Sequence, residues 1–144
     1  MITIRTTILF FMALAAGTAS AEYNPLKLGY AAAEYIGSVY QLDALARSRC
    51  SYLFPAREDP EWVLDRVKRN IPPDNHAEIY QMARGPKMKA IVMEAERIID
   101  DTLAKGQARG MDRQSTCSRL YGSLMQFHKD KEGLWHFAVK NYSK

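Results

Sequence analysis

The side chains in this sequence that could do chemistry are few, and the two cysteines come first. Cys50 and Cys117 are the only cysteines among 144 residues. They lie too far apart for a C-x-x-C redox motif, so they read as a structural pair and not as a thiol catalyst. The three histidines are His76, His128 and His136. The last two are eight positions apart, not the four that would place two imidazoles on one helical face for zinc. No carboxylate-x-x-His pair is present for a di-iron bundle site, and no C-x-x-C-H for haem attachment. Neither a metal nor a cofactor is expected. Glu96 and Asp100 are four apart with Asp101 adjacent. Such a pair could act as acid and base in glycoside hydrolysis, although with Arg97 in the same turn a solvated charged face is the simpler reading.

Nucleophile and phosphate motifs are missing: there is no Gly-x-Ser-x-Gly elbow and no Gly-rich loop carrying a Lys. The string Gly122-Ser-Leu-Met-Gln126 is similar to the Gly-Leu-Met-Gln string of lytic transglycosylases. Those enzymes carry a catalytic Glu upstream, and Gly106 to Tyr121 contains none, so the similarity implies no activity here. The catalytic set is therefore empty.

Charge gives a stronger hint. The whole chain carries +4, but Thr102–Lys144 alone carries +5, from eight basic and three acidic residues. That asymmetry points to an acidic partner surface. Arg113, Arg119, Lys129 and Lys131 are its candidate contacts. Trp135 and Phe137 join them, because aromatic and Arg side chains dominate interface hot spots. Tyr121, Phe127 and Tyr142 lie in the same stretch, and Tyr52-Leu53-Phe54 forms a second candidate surface.

What must position these residues is a set of helices behind a leader. Met1 to Ala21 has one positive charge, an apolar stretch from Ile8 to Ala16, and the small-residue pattern Ala19-Ser20-Ala21. It reads as a secretory signal cut after Ala21, with an apolar core about half the ~20 residues a membrane-spanning helix needs. Residues 22–144 are then expected as a single soluble domain, in the periplasm or secreted. In that oxidising setting Cys50 and Cys117 are expected to bond, closing a loop of about 68 residues.

Residues 22–144 read as helical throughout. Asn24-Pro25 is a start signal, and apolar positions then recur at helical spacing from Leu28 to Ala46. Gly29 and Gly37 in that helix are candidates for close approach by a neighbour. Asp59-Pro60-Glu61 repeats the start signal, followed by Trp62, Val63, Arg66 and Val67 on one face and an end near Asn70. Asp74 is expected to cap a short helix that stops at Gly85-Pro86. Met88, Ile91, Val92, Ala95, Ile98, Ile99 and Leu103 form the longest apolar stripe. Gly106 and Gly110 are expected to mark a loop, with Asp112 capping the next helix and Gly133 interrupting it. Alternating strand patterns are missing.

The expected fold is thus all-α: a small bundle of four to five helices with one disulfide. The function expected is that of an exported, non-catalytic binding protein acting through a protein partner, in the manner of an immunity or inhibitor protein. Export argues against nucleic acid as the partner. Two other readings stay open: a periplasmic stress chaperone using exposed aromatic surface, and a cell-wall hydrolase if Glu34, Glu96 or Asp100 lines a cleft.

Overall fold

The computed structural model describes residues 23–54 and 59–143. The leader expected over 1–21 lies outside these residues. The described chain is a helical bundle: α1 (Pro25–Arg47), α2 (Pro60–Lys68), α3 (His76–Arg84), α4 (Pro86–Ala108) and α5 (Arg113–Tyr142). Single 3-10 turns at Ser51–Leu53 and Pro73–Asn75 supplement them. Among the described residues there is no strand.

Most boundaries follow from capping chemistry. The first amides of a helix have no intrahelical acceptor, so a short polar side chain at the cap and a proline just inside the start both favour initiation. Asn24 accepts from Lys27 N at 3.1 Å, Asp59 from Glu61 N at 2.9 Å and Asp112 from Ser115 N at 2.8 Å. Asp74 does not cap as expected: it sits within the 3-10 turn, and α3 starts without a side-chain cap. His76 does other work there. Its Nε2 lies 2.9 Å from the Lys68 carbonyl and 3.0 Å from that of Ile71, tying the end of α2 to the start of α3.

The long helices α1 and α5 run antiparallel with a register fixed at three levels. Asn24 N donates to the Tyr142 carbonyl at 3.1 Å at one end. Ser38 meets His128 midway, 2.9 Å apart. Cys50 and Cys117 are disulfide-bonded at the other end, with Cα atoms 5.4 Å apart. Helices α2, α3 and α4 all pack on α1.

Buried apolar residues form two clusters. The larger gathers Leu28, Tyr35, Ile36, Val63, Leu64, Val67 and Trp135 where α1, α2, α3 and the end of α5 meet. The smaller holds Ala44, Leu45, Cys50, Ile99, Leu103 and Cys117 at the disulfide-bonded end. Trp62 is 66% exposed, so the α2 face that packs inward is Val63, Leu64 and Val67. The α4 stripe is only partly used: Met88, Ile99 and Leu103 are buried, whereas Ile91 and Ile98 are exposed.

Three glycine expectations are corrected by the packing. Gly106 does not mark a loop with Gly110: α4 continues through it to Ala108, because the missing side chain lets Thr116 of α5 pack directly on it. Gly133 does not interrupt α5, which continues through it to Tyr142, because Leu134, Trp135 and Ala138 on its inner face are held in the larger cluster. Gly29 and Gly37 have no neighbour close enough to meet a Cβ. The close approach falls instead at Gly106, inside α4.

Candidate functional site

The turn from α4 to α5 builds a surface lined by three basic side chains. Its backbone closes with Met111 N donating to the Gly106 carbonyl at 3.0 Å and Gly110 N to the Gln107 carbonyl at 3.0 Å. This crossed pair requires a left-handed residue just past the helix end, and Gly110 supplies it at φ +73°. Asp112 then caps α5. The reversal takes four residues, Arg109 to Asp112, so the last turns of α4 lie directly against the first turns of α5.

Between them runs an open groove of about 310 Å³. Thr102, Lys105 and Gly106 of α4, with Arg109 just past its end, line one side, Thr116, Arg119, Leu120 and Ser123 of α5 line the other, and Met111 of the turn lies between. Both sets follow the i, i+3/i+4, i+7 pattern that puts residues on one helical face. Gly106 and Thr116 form the floor, where a Cβ on residue 106 would stand 2.6 Å from Thr116 Oγ1. Lys105, Arg109 and Arg119 are exposed on the rims. No acidic side chain lines the groove, and none of the three cations is ion-paired among the described residues. Two of the hydroxyls are already committed: Thr102 Oγ1 donates to the Ile98 carbonyl at 2.7 Å and Thr116 Oγ1 to that of Asp112 at 3.2 Å. Lys105, Arg109, Arg119 and the Ser123 hydroxyl are the donors facing an incoming group.

The six candidate residues on α5 are not gathered in one place. A helix of 30 residues is about 45 Å long and turns 100° per residue, so a basic run in sequence disperses around it. Arg119 enters the groove just described. Arg113 lines a broader hollow with Arg49, Asp100 and Asp101, where both signs of charge meet. Lys129 is exposed. Lys131 is paired with Glu34 at 2.5 Å, and this hydrogen bond holds its ammonium pKa above the usual lysine value. Trp135 is 2% exposed and stacks on Tyr35 at 6.4 Å, so it belongs to the core and not to a contact surface. Phe137 is 56% exposed, edge-on to Tyr142 at 6.1 Å. Of the second surface, Tyr52 is half-exposed and Phe54 packs edge-on against Tyr121 at 5.2 Å.

Lys105 and Arg109 were legible only as charge. The signal that could have found them is their i, i+4 spacing at the end of α4, directly before the Gly110 turn that brings Arg119 alongside.

The remaining chemistry-bearing groups are held in structural contacts. Ser38 and His128 are both buried and resemble a nucleophile and base only in distance. Ser38 Oγ donates its proton to the Tyr35 carbonyl at 2.7 Å, which makes His128 Nδ1 the donor to Ser38. A base must accept that proton, so the polarity is the reverse of nucleophile activation. Glu96 and Asp100 share an open hollow with Arg47, Ser48 and Arg49. Glu96 is ion-paired to Arg47 at 3.0 Å, and Asp101 to Arg97 at 2.7 Å. Among the described residues, no three His, Cys, Asp or Glu side chains converge as a metal ion would require. None of their helices is long and apolar enough to cross a membrane.

No protein-family model, curated protein or solved structure matches this chain.

Proposed function

We propose that this chain is an exported, non-catalytic helical protein that binds an acidic patch on one partner protein, as immunity and inhibitor proteins do. One observation carries the reading: Lys105, Arg109 and Arg119 converge from two helices on a groove with no acidic lining. Basic side chains held together without counter-charges repel one another, and an acidic partner relieves that repulsion while gaining steered, fast association. The disulfide supports export, since such bonds persist in oxidising compartments. It also pins the end of the bundle that carries the groove, which limits the ordering cost of binding.

Affinity capture from a periplasmic extract tests this, using wild-type protein and an Arg119→Glu variant. One stoichiometric partner, retained by wild type and lost with the variant, is expected. A broad set of weakly bound proteins, insensitive to the substitution, would replace the reading with that of a stress chaperone. Intact-mass measurement of native material checks export separately: the expected chain begins at Glu22 and has no alkylatable thiol.

A further inference from the structure

We infer that the α4–α5 groove takes an acidic peptide segment, two or more Asp/Glu side chains of a partner laid along the trough between the helices. The inference rests on the binding-protein reading and specifies what that partner must present.

The shape of the groove argues for a segment over a free anion. Lys105 and Arg109 stand one turn apart along the α4 rim, and Arg119 faces them from α5. Three donors in a line and across it match several carboxylates spaced along a chain. A single tetrahedral oxyanion is held differently, by donors that enclose it, usually backbone amides at a helix start. Among the described residues the helix start nearby is that of α5, and the Asp112 carboxylate already sits on it, accepting from Ser115 N at 2.8 Å and Ser115 Oγ at 2.7 Å and repelling a second anion there. A free anion would therefore find side chains alone, exposed and mobile.

The floor suits carboxylate side chains with methylene stems. Leu120, Met111 and the Gly106 backbone offer apolar surface below the cations. Thr102 and Thr116 offer no free donor, since their hydroxyl protons go to backbone carbonyls. At about 310 Å³ the groove lies at the small end for ligand pockets and is open along its length, so it admits side chains from a partner's surface without engulfing a separate molecule. The planar forks of Arg109 and Arg119 are the geometry that reads carboxylates in pairs.

The test uses an acetylated, amidated hexaglutamate peptide as probe, titrated calorimetrically in low salt. The expected result is saturable one-to-one binding that weakens about tenfold in an Arg109→Gln/Arg119→Gln variant, the order of effect of removing two favourable exposed charge pairs. A Lys89→Gln/Lys140→Gln variant loses the same net charge at exposed positions outside the groove and should retain wild-type affinity. Equal weakening by both variants, or no saturable binding, would overturn the proposal. So would inorganic phosphate displacing the peptide at equal concentration, since that marks a small-oxyanion site. The substitutions are at exposed positions, and circular dichroism confirms that each variant is folded. A partner captured equally by wild type and the groove variant would sink this inference and leave the binding-protein reading standing. Hexaglutamate binding without any captured partner would do the reverse.

Discussion

Gly106 of α4 and Thr116 of α5 touch so closely that even one methyl group on the glycine would stand 2.6 Å from Thr116 Oγ1. The threonine cannot step aside easily. It is buried, branched at Cβ, and its hydroxyl is fixed to the Asp112 carbonyl. Gly106→Ala should therefore destabilise the protein by about 1–3 kcal/mol, despite alanine's better helix propensity, because overpacking outweighs it. A Gly106→Ala/Thr116→Ala double variant removes both clashing atoms, and chemical denaturation should show most of the loss recovered. Additive losses in that double variant would mean the contact does not set the helix spacing.

The Cys50–Cys117 bond fastens the smaller of the two core clusters, where the fewest apolar residues are buried. With its ends 67 positions apart, it stabilises by roughly 4 kcal/mol in chain-entropy terms. Reduction should lower the denaturation midpoint accordingly. Hydrogen exchange should show the loss first near the α4–α5 turn, with the Trp135 end protected longer. Uniform loss of protection would show that the two clusters open as one unit.

Trp135 and Phe137 are two residues apart on α5, and they should behave as opposites. Trp135→Ala empties a buried site beside Tyr35 and should cost about 3–5 kcal/mol. Phe137→Ala removes a ring that is 56% exposed and should change stability by less than about 0.5 kcal/mol. Urea denaturation of both variants is the measurement, and comparable losses would place Phe137 in the core as well.

Asp112 links pH to the α4–α5 turn. Hydrogen bonds from the Ser115 amide and hydroxyl hold its carboxyl below the usual aspartate value. A lowered folded-state pKa means the cap stabilises fully above the ordinary carboxylate range, and that contribution is lost as pH falls through the folded value. Thermal midpoints of wild type and Asp112→Ala should differ at neutral pH and converge toward the acid end. A constant difference across that range would show that the charged cap contributes nothing.

Much of the fold was legible because its signals are local. Asn24-Pro25, Asp59-Pro60 and Asp112 state their own helix starts, and apolar spacing along α1 and α4 states the period. The pairing of Cys50 with Cys117 followed from there being two cysteines in a chain read as exported. Local signals failed where neighbours outweighed them. Gly133 carries a breaking tendency that the packed residues around Trp135 override, and Asp74 lost its capping place to the turn closed by His76.

The candidate site was legible in its charge and illegible in its members. By itself the sequence determined that basic residues collect toward the C-terminal end, since net charge is a sum over positions and needs no geometry. Only the tertiary structure decided which of them act together. A helix rotates its side chains through 100° per residue, so Arg113, Arg119, Lys129 and Lys131 point to separate surroundings. The glycine turn and the Gly106–Thr116 contact bring Arg119 beside Lys105 and Arg109 of another helix. Burial likewise removed Trp135, because which face of α5 meets α1 is settled by the register of two helices and not by the residues of one.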